Sequence, residues 1–280
     1  MHAFISMARI NINSMSKSTR SRKVVTKSES KAATALDTSP YVFQREKISH
    51  ELNIRELPWT EKQKALIELF LDKRCKVLFL KGVAGTSKTI LSMYLGLRLL
   101  EMRRVSDIVL IRSAVESADS KLGYLPGDIT DKFGVYLAPF YHKFEELLSK
   151  TQIDKLEKDN RFVICPINYA RGLHFAAKFV CCDEAQNLTI AELNTLMTRM
   201  GEFAKVIVCG DPEQSDLSHG KSGFTKVYDA FNTEEAIEQG IICAELTEDD
   251  IVRSELCKYV TRKFKEIRAA NIPQNSHGYK

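Results

Sequence analysis

The fold of this 280-residue chain is decided by the octapeptide Gly82-Val83-Ala84-Gly85-Thr86-Ser87-Lys88-Thr89. It follows an apolar run, residues 77–80, that predicts a buried strand, and it precedes a run with helical periodicity, residues 90–100. A small-residue loop at a helix N-terminus points backbone N–H groups and the positive end of the helix dipole at one spot. We therefore expect these eight residues to form a phosphate-binding loop for a nucleoside triphosphate, although such a turn can also serve packing alone.

Two residues of the loop have predicted chemical roles. In the pattern G-x-x-x-x-G-K-[ST], the lysine reaches the β- and γ-phosphates and the hydroxyl residue holds Mg²⁺, which assigns these roles to Lys88 and Thr89. One position departs from the pattern, because Ser87 stands where the second glycine is expected. Either its backbone has a negative φ with slight crowding, which we favour because the surrounding residues match, or nucleotide affinity is reduced.

A second apolar run ends in two carboxylates. Residues 179–182 lead directly into Asp183 and Glu184, and the carboxyl ends of parallel strands form the ligand edge of an open sheet. We expect Asp183 to hold Mg²⁺ through its water shell, as a Walker B aspartate does. We expect Glu184 to act as general base or to orient the attacking water. The alternative is an exposed acidic turn after a buried strand.

A third strand-end motif follows the apolar run 205–209. It reads Gly-Asp-Pro-Glu-Gln and ends at Gln214. In nucleic-acid-stimulated ATPases, a polar group on the strand between the two Walker strands distinguishes triphosphate from diphosphate, which makes Gln214 a candidate for contact with the γ-phosphate. A simple Gly-Asp-Pro turn is the alternative.

Together these motifs resemble the PhoH family over about residues 55 to 262. The resemblance includes residues 111–116 and the segment 121–128, Lys-Leu-Gly-Tyr-Leu-Pro-Gly-Asp. The segment 121–128 is typical of PhoH-like proteins, whereas the other strand-end motifs are shared with superfamily 1 helicases. The resemblance implies an α/β, RecA-like P-loop NTPase with a mostly parallel sheet and helices on both faces. It also implies ATP and Mg²⁺ as cofactors, RNA as a polymer partner and a ring-shaped hexamer.

The same resemblance assigns two further residues to the nucleotide. Gln63 is similar to the glutamine that reads the adenine edge, but it also stands three residues after Thr60, where it would complete a helix cap. Arg253, in a segment expected to begin the last helix, is similar to an arginine of the family pattern and is a candidate arginine finger. A salt bridge from Arg253 to Glu248 or Asp249 is the alternative.

Two residues are candidates for contact with nucleic acid. Arg112 follows the predicted strand 107–111, where it would meet polymer phosphate or remain solvated. Tyr124 lies in the loop-like segment 113–127 on the expected ligand face, where its ring would stack on a base. Anchoring of that loop on the core is the alternative for Tyr124.

The chain is expected to contain one domain between two tails. We predict a basic disordered tail over 1–40, a single RecA-like P-loop ATPase domain over 41–270 and a polar C-terminal tail over 271–280. The overall charge of +5 lies in the basic tail, which would attract nucleic acid, act as a targeting sequence or simply be solvated. We expect strands near 76–81, 107–112, 161–165, 178–182, 205–209 and 241–246. We expect helices near 60–73, 88–104, 128–158 with a break, 189–201, 222–232 and 249–268.

The seven cysteines form no C-x-x-C pair and several fall in predicted buried strands. They favour a reducing compartment over a disulfide framework or a zinc site. No apolar run approaches the ~20 residues of a membrane span, so we expect a soluble, cytoplasmic protein.

Three functions fit these motifs. The first is an ATPase stimulated by RNA or single-stranded DNA. Because one core cannot move along a polymer alone, it would act as a homo-oligomer, although a monomeric switch is also compatible. The second is an ATP-gated assembly protein with little hydrolysis. The third, a small-molecule kinase, lacks an arginine-rich lid and ranks last.

Overall fold

A parallel sheet forms the centre of the fold. Its strands, within the described residues, are β1 (Val77–Gly82), β2 (Asp107–Arg112), β3 (Phe162–Pro166), β4 (Lys178–Asp183), β5 (Lys205–Gly210) and β6 (Ile241–Leu246). They lie in the order β3-β2-β4-β5-β1-β6, and every neighbouring pair is parallel. Strand β5 therefore lies between β1, which leads into the phosphate loop, and β4, which ends at Asp183. All six predicted strands are confirmed to within one residue at each end.

The computed structural model describes residues 51–113, 140–217, 220–252 and 254–270, all within one compact unit, Phe43–Lys280. Its helices are α1 (Glu61–Leu71), α2 (Lys88–Glu101), α3 (Lys150–Lys158), α4 (Ile190–Met197), α5 (Phe224–Phe231), α6 (Glu234–Glu238) and α7 (Glu255–Ala270). Residues 140–147 are also helical, so the expected break before α3 falls at 148–149. Helix α6 was not predicted, because its five residues are too few to establish a helical period.

The expected start of the last helix near residue 249 is wrong. Residues 248–250 form a single 3-10 turn, Ile251 is extended with a φ of −71° and a ψ of 120°, and α7 begins only at Glu255. The Asp250 carboxylate accepts a hydrogen bond from the Thr247 backbone N–H at 2.7 Å and pairs with the Lys62 Nζ at 3.0 Å. Burial of Ile251, only 2% exposed, then directs the chain towards the core before the helix can start.

Helices cover both faces of the sheet, as predicted. On one face, α2 approaches β4 so closely that a Cβ at Gly96 would lie 2.6 Å from the ring of Phe179. On the other face, Phe224 and Tyr228 of α5 pack in a buried cluster that includes Val206 and Val208 of β5. The inner strands β4 and β5 are thus buried along their whole length between two helical layers, which leaves the carboxyl edge of the sheet as the place for a ligand.

Left-handed residues occur in the turns that precede five of the strands. They are Arg103, Asn160, Ala177, Phe203 and Gly240, with φ values of 56°, 50°, 53°, 60° and 86°. A left-handed residue ends a helix sharply and lets the chain reverse within a few residues. Only one of the five is glycine, so at four of these left-handed positions the residue type gives no signal in the sequence.

Candidate nucleotide site

A cleft of about 430 Å³ opens at the carboxyl edge of the sheet. Nine of the predicted site residues line it, namely Gln63, Ala84, Gly85, Ser87, Lys88, Thr89, Asp183, Glu184 and Gln214. The loop residues Gly82, Val83 and Thr86 do not line the cleft, and Thr86 is fully buried. The three strand-end motifs therefore meet at one cleft, although 94 residues separate Thr89 of the first from Asp183 of the second.

The phosphate loop is held together by its own side chains. The Lys88 ammonium donates to the carbonyl oxygens of Gly82 at 2.7 Å and Val83 at 3.0 Å. The Thr86 hydroxyl also donates to the carbonyl oxygen of Val83, at 2.8 Å. Helix α2 begins at Lys88, so its N-terminal N–H groups and dipole face the cleft, as expected for a phosphate site.

The favoured expectation for Ser87 is wrong. Its backbone is left-handed, with φ 62° and ψ 27°, which is the conformation that glycine adopts without steric cost. A non-glycine residue there stores about 1–2 kcal/mol of strain. Of the two interpretations of Ser87 from the sequence, only reduced nucleotide affinity is compatible with this backbone conformation.

Thr89 and Asp183 lie against each other across the cleft. The Thr89 hydroxyl is 3.1 Å from Asp183 Oδ2 and 3.3 Å from Oδ1. Burial first, and then the charge of Glu184, raises the pKa of Asp183 to about 6, while the charge of Arg112 and the Thr89 hydrogen bond act in the opposite direction. One buried carboxylate beside one hydroxyl is a donor set that fits Mg²⁺ with most of its water shell retained.

Glu184 is held at both carboxylate oxygens. The Arg112 guanidinium lies 3.8 Å from Oε1, and the Gln186 amide donates to Oε2 at 2.5 Å. The backbone of Glu184 is left-handed, with a φ of 53°. A strained, doubly held carboxylate at the mouth of a cleft is typical of a functional group rather than a surface turn.

Gln186 and Asn187 join the end of β4 to the turn after β5. The Gln186 side chain accepts from the Asp211 backbone N–H at 3.0 Å, and the Asn187 side chain exchanges two hydrogen bonds with Asp216, both of 2.8 Å. Gln214 lies within the turn that these bonds fix, at the end of a 3-10 segment. No role was predicted for Gln186 or Asn187 from the sequence, although their side chains hold the turn that carries Gln214.

The capping alternative for Gln63 is confirmed. Its Oε1 accepts from the Thr60 backbone N–H at 3.0 Å, and its backbone N–H donates to the Thr60 hydroxyl at 3.2 Å. The side-chain Nε2 donates to the Thr86 carbonyl oxygen at 3.2 Å. Both ends of the Gln63 amide are thus engaged inside the protein, even though the residue lines the cleft.

Comparison with known proteins assigns the family. A family model described as "PhoH-like protein" matches residues 56–265. The chain belongs to the PhoH family. It is 34% identical over 200 residues to a PhoH-like protein of Mycobacterium leprae, covering 71% of this chain and 56% of that protein. It is 36% identical over 193 residues to a PhoH-like protein of Bacillus subtilis, covering 69% and 59% respectively. This chain thus spans less than two thirds of these PhoH-like relatives.

The parallel sheet, with β5 between the two motif strands and a phosphate loop after β1, confirms the predicted RecA-like P-loop fold for this PhoH family member. Among solved structures, the Pif1 helicase of Candida albicans is similar over 79% of this chain and 46% of that chain, with a TM-score of 0.40 and 18% sequence identity. No helix in the described ranges is long and apolar enough to cross a membrane.

Two predicted site residues of this PhoH family member, Tyr124 and Arg253, lie outside the described residues, as does the family segment 121–128. The residue before Arg253 is close to the site, because the Val252 backbone N–H lies 3.4 Å from the carbonyl oxygen of Gly85. The alternative predicted for Arg253 was a salt bridge to Glu248 or Asp249. The Glu248 carboxylate already binds the Nζ of Lys265 at 2.8 Å.

The far wall of the cleft was not predicted from the sequence. It is formed by residues 57–59 and by Lys143 and Glu146, which face the phosphate loop. Arg55 joins these two segments, because its backbone N–H donates to the Leu147 carbonyl at 2.9 Å. The two segments are some ninety residues apart and carry no shared motif, so only the packing of the chain brings them together.

Proposed function

We propose that this protein hydrolyses ATP with Mg²⁺ and couples the reaction to binding of single-stranded RNA or DNA. The observation that carries the proposal is the direct contact between Thr89 and Asp183 at 3.1 Å, at the mouth of the phosphate loop and next to Glu184. A loop with lysine, a hydroxyl–carboxylate pair and a second, partly exposed carboxylate are the parts that phosphoryl transfer to water needs.

Each residue has a distinct role in this proposal. Lys88 binds the β- and γ-phosphates, and Thr89 with Asp183 would hold Mg²⁺. The ion, when bound, neutralises charge on the phosphate oxygens. Glu184 orients the attacking water and accepts its proton. Gln214, fixed by the turn after β5, contacts the γ-phosphate.

The base would lie towards the far wall, between Gln63 and residues 57–59. A direct adenine contact by Gln63 remains a proposal, and it requires the Gln63 amide to exchange its bond with Thr60 or Thr86 for one with the base. Trp59 packs on Tyr94 there, with ring centroids 5.1 Å apart. Leu57, Pro58 and Trp59 line the cleft there and would form the apolar side of a nucleobase site whether or not Gln63 changes partner.

Contact with nucleic acid is proposed for Arg112, with Tyr124 as a stacking residue. Arg112 ends β2 at the same sheet edge as the cleft, and its side chain is 29% exposed. Its guanidinium already pairs with Glu184, so a polymer phosphate that binds Arg112 would compete with the residue proposed to orient water. That competition offers a physical route from polymer binding to a change in hydrolysis.

A second function, a nucleotide-gated assembly protein with little hydrolysis, is favoured by helix α7. Its exposed face carries an apolar stripe at helical spacing, Leu256, Tyr259, Val260, Phe264 and Ile267, with exposures between 41% and 71%. Such a stripe is typical of a subunit interface. Under this proposal, ATP binding at the strained Ser87 loop would control assembly, with the homo-oligomer, predicted to be a hexamer, as the product.

Steady-state ATP hydrolysis, with and without single-stranded RNA or DNA, separates the two functions. The first function predicts turnover that rises with polymer, falls by about 10²–10⁴ in Glu184→Gln and loses its stimulation in Arg112→Gln. Glu245→Gln is a matched control, because Glu245 is an exposed carboxylate that pairs with Lys81 outside the cleft. Tight ATP binding without turnover, together with ATP-dependent assembly, would instead support the second function.

A further inference from the structure

Gln186 is a buried amide whose polar atoms all point to groups of the proposed site. It is 1% exposed, and its contacts reach Glu184 and the turn after β5. We infer that Gln186 is a positioning residue that aims Glu184 and couples this carboxylate to the turn that carries Gln214. The inference rests on the proposed ATP hydrolysis and adds a residue to it.

The donor side of the amide holds the carboxylate. Nε2 donates to Glu184 Oε2 at 2.5 Å, and a longer contact of 3.5 Å joins Nε2 to the carbonyl oxygen of Gln214. A short hydrogen bond to an ionised carboxylate is about twice as strong as one between neutral groups. Because this donor is buried, water cannot replace it without entering the protein, so the bond fixes one oxygen of Glu184.

The acceptor side of the amide holds the β5 turn. Oε1 accepts from the Asp211 backbone N–H at 3.0 Å, and the Gln186 carbonyl oxygen accepts from the Ser215 hydroxyl at 3.1 Å. A displacement of this turn would therefore pull on the amide and, through Nε2, on Glu184. One side chain thus connects the proposed γ-phosphate sensor to the group proposed to orient water.

Arg112 alone would not fix the position of Glu184. Its guanidinium lies 3.8 Å from Oε1, and the two side chains are 29% and 36% exposed, so solvent screens the pair. The Gln186 bond is shorter, its donor is buried, and it acts on the other oxygen. We expect Gln186 to set the orientation of the carboxylate and Arg112 to modulate it.

Three substitutions test this role by steady-state ATP hydrolysis at saturating polymer. Gln186→Glu keeps an acceptor for the Asp211 N–H but replaces the donor to Glu184 by an oxygen. Gln186→Met has similar length and removes both contacts without adding a charge. Gln239→Glu is the matched control, since it makes the same amide-to-carboxylate change at an exposed residue that does not line the cleft.

We expect kcat to fall about 100-fold in both Gln186 variants, because misplacement of a reacting group by about 1 Å costs this much. The KM for ATP should stay within about threefold, since no binding contact is removed. Gln239→Glu should keep kcat within about threefold of the wild type, with unfolding midpoints showing that all three variants are folded.

Three results would overturn the inference. Wild-type kcat in Gln186→Glu would show that only the Asp211 contact matters. A Gln186→Met variant that is unfolded at the assay temperature, or a parallel rise in KM, would assign a general structural role to this region. Absence of turnover in the wild type would instead refute the proposed function and the inference with it, an outcome distinct from the others because it appears before any substitution.

Discussion

The neighbouring strands β2 and β4 carry one buried carboxylate at each end of the pair, and only the one at the amino ends has a cation as its direct partner. At the amino ends, Asp107 is the cross-strand neighbour of Lys178 and binds its Nζ at 2.9 Å, with Arg161 3.8 Å away. At the carboxyl ends, Asp183 is the neighbour of Arg112, but the guanidinium pairs with Glu184 instead. The structural carboxylate is neutralised inside the protein, whereas the one in the cleft is left for a ligand.

The same contrast applies to strained backbone. At the amino edge, residues such as Phe203 adopt a left-handed conformation simply to turn the chain into a strand. At the carboxyl edge, two non-glycine residues that line the cleft are left-handed, Ser87 and Glu184. A left-handed backbone alone therefore does not indicate a functional residue. Left-handed residues beside Asp183, a buried carboxylate without a cation as direct partner, do indicate a functional site.

Removing the charge at each end should change stability in opposite directions. Asp107→Asn is expected to lower the free energy of unfolding by about 3 kcal/mol, because two buried cations lose their carboxylate. Asp183→Asn is expected to raise it by about 2 kcal/mol at pH 7 without Mg²⁺, since the raised pKa reports an unfavourable charge. Urea unfolding of both variants at pH 7 measures the two changes.

A decrease in stability for both variants would contradict this contrast. It would mean that Asp183 is satisfied inside the protein by Thr89 and does not depend on a ligand. Glu245→Gln is the control for a change of net charge, because Glu245 is exposed and lies outside both sites.

The pH dependence of stability tests whether the Asp183 carboxylate at the carboxyl edge is destabilised in its charged form. The pKa of Asp183 is about 6 in the folded protein against an ordinary value of 3.8. The folded state therefore takes up a proton that the unfolded state does not, and this contribution to stability grows as pH falls from about 6 to about 4. We expect wild type to gain about 2 kcal/mol relative to Asp183→Asn across this window.

Two further features make the pH measurement specific. The pKa of Asp72 is lowered to about 2, mainly by its hydrogen bond from Arg74. Asp72 therefore changes the stability only below this pH window, and it does so equally in the wild type and in Asp183→Asn. Mg²⁺ should bind about tenfold more weakly for each pH unit below 6, because a proton competes for the same carboxylate. A flat difference between wild type and Asp183→Asn would contradict the shifted pKa.

The smallest predicted effect concerns the left-handed residues. Ser87→Gly and Phe203→Gly should each stabilise the protein by about 1 kcal/mol through relief of backbone strain. Only Ser87→Gly should also change nucleotide affinity, measured by titration calorimetry with a non-hydrolysable ATP analogue. An equal change in affinity for Phe203→Gly would show that strain relief acts through the whole fold.

Much of this fold could be predicted from the sequence, because buried strands and a phosphate loop leave strong local patterns. The motif residues Lys88, Thr89, Asp183 and Glu184 were predicted to face one ligand, and they line one cleft. The φ of Ser87 could not be predicted, because neighbouring residues do not determine whether a loop serine is left-handed.

Other features depend on tertiary contacts rather than on local sequence. The bonds of Gln186 join β4 to the turn after β5, across 25 residues of chain. The late start of α7 at Glu255 follows from the burial of Ile251 and the pairing of Asp250 with Lys62. Patterns within the segment 248–253 favour a helix start, and the distant contacts override them.

The most direct test of the account is the free energy of unfolding with Mg²⁺ and a non-hydrolysable ATP analogue. At a ligand concentration of 100 times Kd, a protein that binds only when folded gains about 2.7 kcal/mol. We expect this gain in the wild type and in Asp107→Asn, whose damage lies at the opposite edge, and no gain in Lys88→Ala. A wild type without the gain, or a Lys88→Ala variant that keeps it, would contradict the assignment of the carboxyl edge as the nucleotide site.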